Sequence, residues 1–327
     1  MFRLKFVARA MFALGVSVLP AQAQDDAGYP ARSIKIIVAF PPGGGPDPIA
    51  RIVASSLERR LGKPVVVENM PGGSGAIAAR AAARAAADGY TLLLADMSFI
   101  VAPHTMANFG VKPLKDFEPI GWAATSPFTM IVSAAVPASN LAEYINIAKA
   151  KPGEMMIGHA GIGSTPHLAA VSFVRSAAIE PRYIPYRGAS DAMSNAMSGL
   201  ISSLFSSASL GISASGNDKL KVLGLTGNHR LKMMPNVPTF AESGIKMRGF
   251  EDGAWFGILA PAGTPQPIIA KLNGALNDMK SDTDMKVRFD AIGAEFKGGS
   301  SKAYHDFMVE QDVLWATTLD ELGVKPE

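Results

Sequence analysis

The residue types able to do chemistry are few and mostly scattered. The chain has no cysteine, which excludes disulfides, thiolate nucleophiles and zinc–thiolate sites together. Its five histidines, at 104, 159, 167, 229 and 305, show no H-x-x-x-H or other paired ligand spacing, so no metal site is expected. Gly72-Gly73-Ser74-Gly75-Ala76 approaches the G-x-S-x-G nucleophile elbow, but its last position is alanine and no histidine is placed as a base. A different grouping recurs instead. Pro41-Pro42-Gly43-Gly44-Gly45-Pro46-Asp47-Pro48 and Gly161-Ile162-Gly163-Ser164-Thr165-Pro166 each join glycines to a capping residue and a proline. Such a turn leaves room for a small molecule to reach main-chain N–H groups at the positive end of a helix, which suits a carboxylate or a phosphate. Glycine also serves tight packing in strand-to-helix turns, and Asp47 and Thr165 have the types of simple N-caps. Nucleotide signatures do not fit, because no Lys-Ser/Thr follows the last glycine and the three spaced glycines of a dinucleotide fingerprint are missing.

These loops need elements to hold them. Ile36 to Phe40 is a short β-branched run closed by proline and glycine, which predicts a buried parallel strand. Ile49, Ile52, Val53 and Leu57 then recur at helical spacing, with Pro48 suited to the first helical position and Asp47 to the cap before it. Pro64 to Glu68, a glycine loop and an alanine-rich helix to about Ala87 repeat the pattern, and Thr91 to Ala95 is a third strand before a loop at Asp96-Met97-Ser98. Trp122 to Val132 is extended but broken at Ser126-Pro127, a place for the chain to enter a second domain. There, strands at Met155 to His159, Tyr183 to Tyr186, Leu200 to Phe205 and Lys221 to Thr226 alternate with helices, and Thr165 and Pro166 open one of them. Ala254 to Ala260 is a returning strand, followed by helices at Pro267 to Met279, Asp282 to Ile292 and Ser301 to Leu322. Alternation of this kind predicts α/β architecture with ligands beyond the C-terminal ends of the strands.

Arg3, Lys5 and Arg9 precede an apolar run from Ala10 to Leu19, and Ala21-Gln22-Ala23 offers a signal-peptidase pattern. A secretory leader, residues 1–23, is therefore expected, with export from the cytoplasm. Its three basic residues account for the excess of 31 Lys+Arg over 28 Asp+Glu, leaving the mature chain balanced. That balance gives no electrostatic reason to expect nucleic acid as a partner. Roughly 300 mature residues suggest two domains.

The phrases YPARSIKIIVAFPPGGGPDPIAR, LGKPVVVENMPGGSGAIAA, DGYTLLLA, KDFEPIG, GIGSTPHLA, IPYRG, PNVPTFAESG and WFGILAPAGTP occur in order along the mature chain. Together they resemble the substrate-binding receptors of tripartite tricarboxylate transporters, the Bug-type periplasmic solute-binding proteins. The resemblance implies a two-lobed, type II periplasmic binding protein fold with a parallel-rich sheet and flanking helices in each lobe. Lobe one would comprise 24–125 and 251–327, and lobe two 126–250. It also implies a monomeric receptor without cofactor or catalysis, whose partners are a small organic acid and the membrane permease subunits of a tripartite transporter, or else a membrane sensor kinase. The family's binding loops fall on Phe40 and on Pro42, Gly43, Gly44, Gly45, Pro46 and Asp47 in lobe one, and on Gly161, Gly163, Ser164 and Thr165 in lobe two. Met97, Ser98 and Ser206 are implied as cleft lining, and His159 as a further candidate contact. Two departures bear on the ligand: His159-Ala160 stands where many members have small hydroxyl residues, and Ser206 where several have an acid. His167 is read as structural, Arg187 as a surface residue, and Trp255 and Phe256 as packing at the lobe junction.

Overall fold

A computed structural model describes residues 28–251 and 253–324, so the expected leader lies outside the described residues. The first half runs β1 (Ile34–Val38), α1 (Pro46–Leu61), β2 (Val65–Asn69), α2 (Ala76–Ala83), β3 (Thr91–Asp96), α3 (Met97–Thr105), α4 (Pro113–Asp116), β4 (Phe117–Ser126) and β5 (Phe128–Ser133). There follow α5 (Leu141–Ala150), β6 (Met156–His159), α6 (Thr165–Ala177), β7 (Arg182–Pro185), α7 (Ala189–Met197), β8 (Ser203–Ser207), α8 (Ala208–Ser215) and β9 (Leu220–Leu225). The chain ends with β10 (Ala254–Pro261), α9 (Gln266–Asn277), α10 (Thr283–Ala291), β11 (Glu295–Phe296) and α11 (Ser301–Leu322).

Two mixed sheets result. One has the order β11-β4-β10-β3-β1-β2, the other β7-β6-β8-β5-β9. β1 pairs in parallel with β2 and β3, and β6 with β7 and β8, which are the strands joined by helical crossovers. β4, β5, β9, β10 and β11 pair antiparallel, and the first four lie near the places where the chain passes between sheets. Pro127 lacks an N–H and separates β4 from β5, so the long extended run divides between the two sheets. The two crossing segments run side by side: Thr226 N–H donates to Phe128 O at 2.8 Å, and Phe128 N–H to Thr226 Oγ1 at 2.8 Å. Gly253 is held close to them, since a Cβ there would lie 2.9 Å from Ser126 O.

Burial follows the apolar runs. Ile34, Ile36, Ile37 and Val38 of β1, Leu92 to Leu94 of β3, and Ile49, Val53 and Leu57 on one face of α1 are all buried. Trp315 of α11 is fully buried against Phe250 in the connection to β10, which ties the last helix to a crossing segment.

Helix starts depart from the sequence expectation in informative ways. α1 begins at Pro46 with Gly45 as its cap, so Asp47 lies inside the first turn; its carboxylate folds back to accept from Gly43 N–H at 3.0 Å instead of capping. In α6 the cap is Ser164, whose extended backbone lets Oγ accept from His167 N–H, and Thr165 becomes the first helical residue. Met97 and Ser98 open α3 directly, with no intervening loop. α2 stops at Ala83 and not near Ala87, the Arg84 N–H being shared between the carbonyls of Ala82 and Arg80.

Candidate ligand-binding site

The C-terminal ends of β1, β3, β6, β7 and β8 all open onto one cavity of about 150 Å³ between the two sheets. Its walls are Phe40 to Pro42 and Gly44 to Pro46 after β1, Asp96 at the end of β3, and Ala160 and Pro166 flanking the loop after β6. Arg187 to Asp191 after β7 and Ser206 and Ser207 at the end of β8 complete them. The antiparallel strands contribute Phe128, the first residue of β5, and Phe256, the third of β10. Every one of these loops feeds a helix, so the starts of α1, α3, α6, α7 and α8 surround the cavity with the positive ends of their dipoles. Phenylalanine and proline supply much of the apolar wall, and Asp96, Arg187, Asp191, Ser190, Ser206 and Ser207 are its polar members. Ser206 is 1% exposed, and its Oγ has no hydrogen-bond partner, an open polar position in an apolar wall.

The two sides meet closely around this space. A Cβ on Gly45 would lie 2.7 Å from the Ser207 Cβ, and one on Gly188 would sit 3.6 Å from Pro41. Ser74 donates to Ile162 O at 2.9 Å, joining the turn before α2 to the loop before α6. That bond commits the Ser74 hydroxyl to a carbonyl, and the residue's φ of 48° is left-handed backbone held by the surrounding glycine turn.

Charged groups brace the loops. Burial of Asp47 raises its pKa, but hydrogen bonds from Arg51, Gly43 and Asn69 outweigh that and hold it below the usual carboxylate range. Arg51 Nε donates at 2.9 Å and Asn69 Nδ2 at 2.9 Å, while Asn69 also donates to Phe40 O, so one acid fixes both ends of the glycine turn. In the second loop Gly163 N–H donates to His167 Nδ1 at 3.2 Å. Burial and the neighbouring His159 push His167 down to about 4, so the ring is neutral and free to accept that bond. Burial likewise lowers His159, partly offset by the Gly161 backbone. Asp96 behaves oppositely: burial pushes it up to about 6 against the lowering effect of the Ser98 hydroxyl and of the Phe99 and Ser98 N–H groups.

Of the residues singled out from sequence, Phe40, Pro42, Gly44, Gly45, Pro46 and Ser206 line the cavity. Gly43 and Asp47 stand behind that wall as its brace. Ser98 holds Asp96 and borders a water-sized void beside the cavity, and Met97 is buried at the start of α3. The middle of the second loop packs against the turn before α2 and the end of α3: Gly161 faces Ser74 Oγ, and Gly163 lies against Thr105. Ser164 and Thr165 are buried at the α6 start, and Thr165 Oγ1 has no partner. His159 is 2% exposed with its ring 4.5 Å from that of His167, behind the wall formed by Ala160. Two residues read otherwise from sequence are on the wall: Arg187 is exposed yet lines the cavity, and Phe256 is both packed and lining. Asp96 and the Gly188 to Asp191 start of α7 escaped the sequence reading. The signal for both was position, since Asp96 ends a strand and caps the helix after it, and Gly188 caps the helix that follows β7.

An α/β molecule of two sheets with a small-molecule cavity at their facing strand ends defines the class of two-lobed binding proteins. A family model for the tripartite tricarboxylate transporter family receptor matches residues 49–324, and the chain belongs to that family. Protein BugT of Bordetella pertussis is 32% identical over 299 residues, covering 91% of this chain and 91% of BugT. The periplasmic binding protein BugD matches in structure with a TM-score of 0.85 at 32% identity, over 91% of this chain and 100% of BugD. Rpa4515 of Rhodopseudomonas palustris, solved with adipate, matches with a TM-score of 0.86 at 28% identity, over 91% of this chain and 100% of that one. The fold is that of periplasmic binding proteins, and the family is one of solute receptors, not enzymes.

Proposed function

We propose that this receptor captures a small carboxylate between two lobes, 24–125 with 251–327 and 126–250, and delivers it to the membrane subunits of a tripartite transporter. The observation that carries the reading is the cavity itself, walled by helix starts from both sheets and holding the unpartnered Ser206 hydroxyl. The mature protein would work as a periplasmic monomer after cleavage at Ala23. The adipate held by Rpa4515 supports a carboxylate as the ligand class.

Magnitudes assign the work. Each helix start contributes about 0.3–1 kcal/mol of attraction to an anion, whereas a micromolar complex requires about −8.2 kcal/mol. Hydrogen bonds to main-chain N–H groups, and burial of the ligand's hydrocarbon part among Phe40, Phe128 and Phe256, supply the remainder as the lobes close. Thermal melting with a panel of small carboxylates that includes adipate tests this. A ligand of the folded state raises the melting temperature progressively with concentration, and a flat response across the panel at millimolar concentrations contradicts the proposal.

A further inference from the structure

Asp96 is one of two acids in the cavity wall, the other being Asp191 at the start of α7. It is 8% exposed at the end of β3, its Oδ1 accepts from Ser98 Oγ, and it lines the cavity beside Phe256, its cross-strand neighbour. Among the described residues no cationic side chain pairs with it. A buried carboxylate is stable only with a compensating partner, and here the protein supplies hydroxyl and N–H donors but no positive charge. The rings of Phe40 and Phe256 line the same cavity, and aromatic faces attract cations. The same cavity is also lined by the starts of α1 and α7 and by Arg187, which makes no ion pair among the described residues.

We propose that Asp96 receives a protonated amine, and that the ligand is a small amino carboxylate: its carboxylate at the α1 and α7 starts near Arg187, its nitrogen at Asp96 beside Phe40 and Phe256. This rests on the receptor reading and narrows its ligand class. A cavity of about 150 Å³ admits guests of roughly benzene size, which sets the range at a few carbons between or beside the charged ends. An alternative use of the same acid is to stay protonated and donate to a ligand carboxylate. The two uses give opposite pH dependence. The groups facing Asp96 are Ser98 and Phe99 on α3, Phe256 on β10 and Tyr304 on α11, whose buried, unpartnered hydroxyl has its own pKa raised by burial and by Asp96. Arg187 and Asp191 face the same cavity from the start of α7. The two buried histidines nearby both have lowered pKa values and stay neutral at pH 7.

Calorimetric titration of the mature protein tests the assignment. The probes are α- and ω-amino carboxylates of two to six carbons, each beside the carboxylate lacking the nitrogen and the amine lacking the carboxylate. At least one amino carboxylate is expected to bind tenfold or more tighter than both of its matched partners, and to weaken as pH falls through about 6. Asp96→Asn, which keeps an oxygen acceptor for Ser98, is expected to abolish the preference over the deamino match. Equal binding of the deamino carboxylates, a preference that survives in Asp96→Asn, or affinity that rises as pH falls overturns the proposal. If Asp96→Asn does not fold, the wild-type ratios and pH profile decide alone. Binding of adipate or a deamino carboxylate with no binding of any amino carboxylate refutes this inference and leaves the receptor reading standing, while binding of none contradicts both.

Discussion

At the scale of single residues, the glycine turn after β1 matters through what it allows near it. Gly45 has φ of −48°, which any residue adopts, so glycine is needed there for space: a methyl group would meet the Ser207 Cβ at 2.7 Å. Gly45 caps α1 beside the first sheet and Ser207 ends β8 of the second, so an added methyl opposes their closure without touching either core. Gly45→Ala is therefore expected to weaken ligand binding about tenfold, the energy of roughly 1.4 kcal/mol that one close contact can withhold. The ligand-free melting temperature should move by no more than about 2 °C. Titration and melting of the same preparation check this, and equal losses in both would show that Gly45 serves folding. Asp47 illustrates the other side of residue-level reading. Its type suggested a cap, yet three donors converge on it because α1 begins one residue earlier than Asp47 and turns the carboxylate back toward Gly43 and Asn69.

At the scale of elements, the loop before α6 is ordered by a neutral histidine. His167 has a folded pKa of about 4, against about 6.5 in an unfolded chain. The unfolded state then binds more protons between those values, so stability is fully present above about pH 6.5 and falls as pH is lowered toward 4. The loss is at most about 3 kcal/mol from this one group, and His159, lowered by burial too, acts in the same direction. Denaturant unfolding across pH 4–7.5 should show this slope, and His167→Gln should make it shallower; an unchanged slope would mean that His167 is not the group. Element identity and order were legible in the sequence because the apolar runs of β1, β3 and β10 and the helical spacing of Ile49, Ile52, Val53 and Leu57 are strong signals. Helix starts were less so. Adjacent serine, threonine, aspartate and proline each suit a cap, and the choice between Ser164 and Thr165 depends on backbone angles that sequence does not state.

At the scale of the whole molecule, the site is a product of topology. Parallel strands in two separate sheets end at the same gap, and the antiparallel strands beside the crossings bring Phe128 and Phe256 to it. The sequence reading anticipated two glycine loops facing one ligand. The structure places the first loop on the cavity wall, whereas the second touches it only through Ala160 and Pro166 and packs its center against Ser74 and Thr105. The wall opposite Gly44 and Gly45 is instead the start of α7 with Ser206 and Ser207. That pairing depends on how the sheets meet across Ser126-Pro127 and Thr226 to Gly253, and no local pattern encodes it. Two hydrogen bonds between Phe128 and Thr226, one of them to the Thr226 hydroxyl, tie the crossing segments together at this junction.

The central claim is that the space between the sheets is where a carboxylate binds. A crystal structure of the mature protein with whichever carboxylate most raises its melting temperature tests it most directly. The account predicts the carboxylate group at the main-chain N–H groups of Gly45 or Gly188 to Ser190, with Ser206 Oγ within hydrogen-bond distance of the ligand. A ligand bound elsewhere, with this cavity collapsed or filled by side chains, would contradict it.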